Sequence, residues 1–231
     1  MKTIKFLSSI FAIAIFMTSC STNDEILETE TSSELLKSFT IAKNAQGKYA
    51  VDYTTNNATS QVVKNIKSNT NEIFLYESAT KSNDNFSEAL DLNNNTLNID
   101  FVDTNTGKKP SITIFDDNIV FAKDNGDSSN SMLEDYSVTG NGDGTYDLAF
   151  TVKNKIEVDF VYNEEISTYE IHLVKGDGSN SDFTRTFSSD GNELKIDFVN
   201  HKNVAAKGYA YRDVETAERK PRVIIQDFES N

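Results

Sequence analysis

Beyond about residue 38 the chain alternates. Short runs place Val, Ile, Leu, Phe or Tyr at every second position. Clusters of Asn, Asp, Gly, Ser and Thr separate these runs. A period of two sends neighbouring side chains to opposite faces of an extended strand, so each run predicts a strand with one apolar and one polar face. Turn signals about every eight to twelve residues are the pattern of an all-β chain. No segment sustains the helical period, and Glu34-Leu35-Leu36-Lys37 offers a single helical turn at most.

The first strand is read at Ser38-Phe39-Thr40-Ile41. A turn at Asn44–Gly47 returns into Lys48–Tyr53, with Tyr49, Val51 and Tyr53 on one face. Tyr136-Ser137-Val138, the turn Asn141-Gly142-Asp143-Gly144 and Thr145–Phe150 repeat this unit. Glu72–Tyr76 matches Glu170–Val174, and the strand near Phe86–Leu92 matches Phe183–Phe187. Each half ends in a Lys-Pro strand, Lys109–Ile114 and Lys220–Ile225.

One phrase occurs three times, as Leu97-Asn98-Ile99-Asp100-Phe101-Val102, Ile156-Glu157-Val158-Asp159-Phe160-Val161 and Leu194-Lys195-Ile196-Asp197-Phe198-Val199. Residues 82–102 lie on 179–199 without a gap, and nine of the twenty-one positions are identical. Chance would supply about one or two. The expected architecture is a tandem duplication of two similar small antiparallel β-sandwich or β-roll domains, residues 34–123 and 132–231, joined by a polar linker at 124–131. The alternative is one continuous antiparallel sheet or barrel built by both halves.

The N-terminus departs from this pattern. Lys2 and Lys5 precede an apolar run from Phe6 to Met17, then Thr18-Ser19-Cys20. The run is shorter than the roughly 20 apolar residues of a membrane-spanning helix and reads as a signal peptide over 1–19. It resembles a bacterial lipoprotein signal, in which cleavage leaves a lipid-modified cysteine at Cys20. The polar-then-acidic Ser21-Thr22-Asn23-Asp24-Glu25 is similar to the tether of Bacteroidota lipoproteins. That resemblance implies an outer-membrane lipoprotein displayed at the cell surface, with the periplasmic leaflet as the alternative. Residues 20–33 would form an acidic flexible tether. Cys20 is the sole cysteine, so no disulfide can form within the chain.

Loss of residues 1–19 leaves 20 basic residues against 36 acidic, a formal charge of −16. Nucleic acid is excluded as a partner by repulsion. The composition leaves little catalytic chemistry. Asp100, Asp159 and Asp197 share a place in the repeated phrase, but alternation turns them away from the core, onto a solvated face. His172 and His201 have no second His or Cys at ligand spacing, so zinc is not expected. No nucleophile elbow, phosphate loop or dinucleotide fingerprint occurs. Calcium is the one metal with candidate ligands, at Asn141, Asp143 and Asp147 and at Asp177 and Asp182. Neither loop completes an EF-hand, and no cofactor is expected.

The second half carries fourteen extra residues between its last two shared strands. From Lys195 to Arg222 there are seven basic and four acidic residues, a net charge of +3. Lys202, Lys207, Tyr209, Tyr211 and Arg212 are therefore candidate ligand contacts for an anionic glycan or an acidic protein. The expectation is a non-catalytic binding or structural module, anchored by lipid. A glycan-active hydrolase and an accessory subunit of a surface uptake or secretion complex are the alternatives.

Overall fold

The computed structural model describes residues 34–43, 48–79, 84–116, 132–188, 193–205 and 218–228, with the side chains of 202–205, 218, 227 and 228 excepted. The signal, Cys20, the tether and the 124–131 linker lie outside the described residues. Ser32–Asn231 forms one compact unit.

The described residues are all-β, with fourteen strands. The first seven are β1 (Leu36–Lys43), β2 (Tyr49–Thr55), β3 (Ala58–Asn65), β4 (Thr70–Glu77), β5 (Asn85–Leu90), β6 (Thr96–Asp103) and β7 (Lys109–Phe115). The second seven are β8 (Leu133–Gly140), β9 (Thr145–Val152), β10 (Ile156–Asn163), β11 (Thr168–Lys175), β12 (Asp182–Ser188), β13 (Glu193–Ala205) and β14 (Glu218–Phe228). The Glu34–Lys37 turn does not form, since Leu36 and Lys37 already belong to β1.

Two sheets result, a six-stranded one in the order β12-β9-β8-β1-β2-β5 and an eight-stranded one in the order β10-β11-β13-β14-β7-β6-β4-β3. Both orders read the same when each strand is exchanged with the one seven places along. The sheets are joined across the halves, by β1 against β8 and by β7 against β14. The expectation of two separate small domains is corrected here. The inward faces of both halves close on one hydrophobic cluster, and each half completes its sheets through the other. The ladders are mostly antiparallel. The exceptions are the parallel pairs β4–β6 and β11–β13, where β5 and β12 cross to the other sheet before the chain returns. Parallel neighbours need such a crossover.

Aromatic residues fill the space between the sheets, and they repeat at a spacing of 97. Tyr53 stacks on Phe86 at 5.2 Å and 14°, and Phe150 on Phe183 at 5.2 Å and 12°. Tyr53 meets Phe101 edge-on at 5.4 Å, as Phe150 meets Phe198 at 5.3 Å. The strand irregularity at Leu36/Ser38 recurs at Leu133/Asp135.

The threefold phrase divides. Its first and third copies are β6 and β13, at equivalent inner places. Its second copy is β10, at the edge of the sheet, in the place that β3 holds in the first half.

Candidate functional site

The outward face of the eight-stranded sheet carries the charged and aromatic side chains that could do chemistry or bind. In both halves its centre is a parallel ladder. Glu72 stands beside Asp100 and Phe74 beside Val102 on β4 and β6, while Glu170 stands beside Asp197 and His172 beside Val199 on β11 and β13.

In the second half this ladder is buried and closed by ion pairs. Asp197 has no exposed side-chain surface. Its carboxylate accepts two hydrogen bonds from Arg222, Nε and Nη2 each at 2.6 Å. The solvated face expected for all three repeated aspartates is thus corrected for Asp197. The strand pairing sets Arg222 directly across from it, and a guanidinium fork suits a carboxylate held in this way. Asp159 on the edge strand is exposed, and Asp100 is partly buried.

Glu170 receives Arg219 and, at 3.0 Å, the Asn163 amide. Burial pushes its carboxyl upward, but hydrogen bonds from Arg219, Asn163 and His172 and the Arg219 charge outweigh burial and hold it below its usual value. The Asp197 carboxylate, by its hydrogen bonds, raises Arg222 against the opposing effect of burial.

The two histidines, separate in sequence, meet here. His172 Nε2 lies 3.0 Å from Glu170 Oε2, and its Nδ1 lies 2.7 Å from His201 Nε2. The rings stack at 5.0 Å and 18°. A carboxylate can only accept, so His172 donates from Nε2 and its Nδ1 accepts from His201. Burial, then the neighbouring His172 ring and the Arg219 charge, lower the His201 pKa, against the opposing Glu170 charge. Sequence spacing concealed this pair because the parallel register of β11 and β13, not local order, brings them together. Two arginines balance two carboxylates in this cluster, so it reads as a self-contained network.

In the first half the same ladder is open. Lys109 Nζ sits 3.0 Å from Asp100 and 3.8 Å from Glu72, and Ser111 donates to Asp100 at 2.6 Å. Phe74 and Tyr76 stand along β4 with rings 6.3 Å apart and nearly parallel. Tyr76 is 41% exposed, whereas Val174 at the equivalent place is 1% exposed. Val63 on β3 is exposed as well. The sequence signal for this patch was the outward phase of Phe74 and Tyr76, which alternate with the inward Ile73 and Leu75.

Asp143, Asp147 and Asp182 among the calcium candidates already accept hydrogen bonds within the protein. Asp143 accepts from the Thr145 N–H at 3.0 Å and its hydroxyl at 2.5 Å. Asp147 accepts from Asn141 at 3.2 Å and Thr186 at 2.5 Å. Asp182 accepts from Thr151 and Ser181. Asp177 lies apart and donates its backbone N–H to Glu157. Gly142, at φ +77°, brings the turn against the Lys37 carbonyl, which a Cβ would meet at 2.2 Å. No group of three or more His, Cys, Asp or Glu side chains able to hold a metal occurs among the described residues. Of the predicted ligand contacts, Lys202 falls in β13 without a described side chain. Lys207, Tyr209, Tyr211 and Arg212 lie outside the described residues.

A second buried polar group joins the halves between the sheets. Asp116 accepts from Lys43 at 2.7 Å and from the Tyr49 hydroxyl at 2.5 Å, and that hydroxyl is hydrogen-bonded to Tyr136 at 2.8 Å. Burial, with the nearby Tyr136 and Asp116, drives the Tyr49 phenol far above its ordinary value. Lys43, Tyr49, Asp116 and Tyr136 are all buried.

The chain matches no protein-family model, no curated protein and no solved structure.

Proposed function

We propose that this protein is a lipid-anchored envelope protein of the outer membrane, displayed at the cell surface, and that it works as a non-catalytic binding module. Its binding face is the open part of the eight-stranded sheet, formed by Val63, Phe74, Tyr76 and Val102 with Glu72, Asp100 and Lys109 beside them. One observation carries the reading. Positions that are buried in the second half, at His172, Val174 and Val199, are half-buried at Phe74 and Val102 and exposed at Tyr76 in the first half. Aromatic surface left in water where an equivalent site is covered is the usual mark of a contact surface. The apolar character favours a protein partner, in the manner of an accessory subunit of a surface complex. The acidic chain disfavours nucleic acid. The anchor rests on Cys20 and the signal before it.

The test compares capture from envelope membranes by the wild-type chain, by Phe74→Ala/Tyr76→Ala, and by a Lys202, Lys207 and Arg212 charge reversal. A specific protein lost only with the aromatic pair supports this face. Loss only with the charge reversal moves the site to the 202–212 region, and capture of a polysaccharide replaces the protein reading. Retention by all three discards both sites. Cys20→Ser should release the chain from membranes; continued membrane attachment would sink the lipid anchor.

A further inference from the structure

The eight-stranded sheet ends in two strands that have one described neighbour each, β10 at one end and β3 at the other. Each is eight residues long and free of proline. An exposed edge presents unpaired N–H and C=O groups and is a template for another strand. Exposed large apolar residues gather on the two hairpins that form these ends. Val63, Ile66 and Tyr76 belong to the β3–β4 hairpin, and Tyr162 and Ile166 to the β10–β11 hairpin. Ile66, at the hairpin tip, is 90% exposed.

The two edges differ in charge. Residues 58–69, β3 and its turn, contain Lys64 and Lys67 and no acid. Residues 156–167, β10 and its turn, contain Glu157, Asp159, Glu164 and Glu165 and no base. Their directions also match. Across the sheet from β10 to β3 there are five antiparallel and two parallel steps, so the end strands run in opposite directions. Two copies placed side by side in the same orientation set β3 of one antiparallel to β10 of the next.

We propose that this protein self-associates head to tail, with the β3 edge of one copy hydrogen-bonded to the β10 edge of the next. Charge selects this pairing over the symmetric ones. In the antiparallel arrangement the C-terminal end of β3, with Lys64 and Lys67, lies at the N-terminal end of β10, with Glu157 and Asp159. Two β10 edges would instead bring Glu164 and Glu165 of one copy towards Glu157 of the other. Two β3 edges would gain no opposite charge. The chain around Gly178 crowds Ile156, whose carbonyl a Cβ there would meet at 2.0 Å, so the usable stretch is Val158–Asn163 against Ser60–Asn65. Six residues span about 20 Å. Such a contact is small, so the association is weak and concentration-dependent in solution. Because the pairing is heterologous it yields open chains of copies rather than a closed dimer. The inference does not depend on the binding face proposed above.

The test is sedimentation velocity on the purified full chain in mild detergent, over a range of concentration and salt. The wild type should form a ladder of species that recedes as salt rises. Lys64→Glu/Lys67→Glu should weaken association about tenfold, and so should Glu157→Lys/Asp159→Lys. An equimolar mixture of the two variants should regain it, because each then meets an edge of opposite charge. Glu157 also receives the Asp177 N–H, so Asp159→Lys alone serves as the second variant should the double one fold poorly. A wild type that stays monomeric throughout, variants that associate like the wild type, or a mixture that fails to recover would each overturn the proposal.

Discussion

Removing Arg222 should cost far more than removing its first-half counterpart interaction. Arg222→Ala leaves the Asp197 carboxylate with no solvent access and no bidentate partner, since the next cation, Arg219, stands 3.9 Å away. An uncompensated buried charge costs roughly 3–5 kcal/mol, and the residual Arg219 contact argues for the lower end, about 3 kcal/mol. Asp197→Ala should cost less, roughly 1–2 kcal/mol, because the guanidinium it abandons is 38% exposed and can turn to water. Asp100→Ala is the internal control. Its carboxylate is 17% exposed and meets Lys109 at 3.0 Å, so the loss is that of a near-surface pair, about 1 kcal/mol or less. For a chain of this size 1 kcal/mol corresponds to about 2–4 °C in Tm, so Arg222→Ala should melt roughly 6–12 °C below the wild type. Urea unfolding at neutral pH, followed by circular dichroism and backed by scanning calorimetry, measures all three. Equal losses for Arg222→Ala and Asp100→Ala would refute the argument, because a carboxylate left buried without its bidentate partner would then cost no more than loss of a near-surface pair.

Acid should destabilise the fold in two stages. The His201 pKa is lowered in the fold, so below about its ordinary 6.5 the unfolded chain binds the proton first and stability falls with pH; His201→Gln should remove that stage in a calorimetric pH series. The Glu170 pKa is also lowered, so its contribution is present above its ordinary 4.5 and is lost as pH falls through the folded value, giving a second stage that Glu170→Gln should reduce. Tyr49→Phe should cost about 1–3 kcal/mol by removing the donor that Asp116 uses, and Tyr136→Phe less, because Asp116 then keeps both Tyr49 and Lys43. Equal costs for the two in chemical unfolding would contradict the drawn chain of hydrogen bonds. Millimolar calcium should leave Tm unchanged, since the Asp143, Asp147 and Asp182 oxygens already serve hydroxyls and amides; a rise reversed by chelator would show that these loops rearrange around the ion.

The strands with strong alternation were legible from the chain alone. Tyr49, Val51 and Tyr53 are buried as their phase requires, and so are Leu97, Ile99 and Phe101. The strand β3 was not, because Ala58–Asn65 offers only Val62 and Val63 amid Ser, Gln and Lys. An edge strand with half-exposed faces has no need of more. The phrase at 156–161 was legible as a strand with Asp159 turned to solvent, but its place in the sheet was not. Its pattern is that of β6 and β13, yet its neighbours place it at the edge, where Asp159 meets solvent. The candidate contacts read at 202–212 have no described side chains, and the face proposed at Phe74 and Tyr76 was not legible because exposure depends on what the sheet leaves uncovered.

By itself the sequence determined the strands with strong alternation, which face of each turns inward, and that the aromatic positions recur at a spacing of 97. These are local matters, decided by a side-chain period of two and by turn chemistry. Only the tertiary structure decided that the halves share both sheets, that β4 and β6 run parallel, and that His172 meets His201. It also decided that three identical-looking aspartates hold three different environments. Strand order and register are set by contacts between segments far apart in the chain, and no local pattern encodes which neighbour a strand will take.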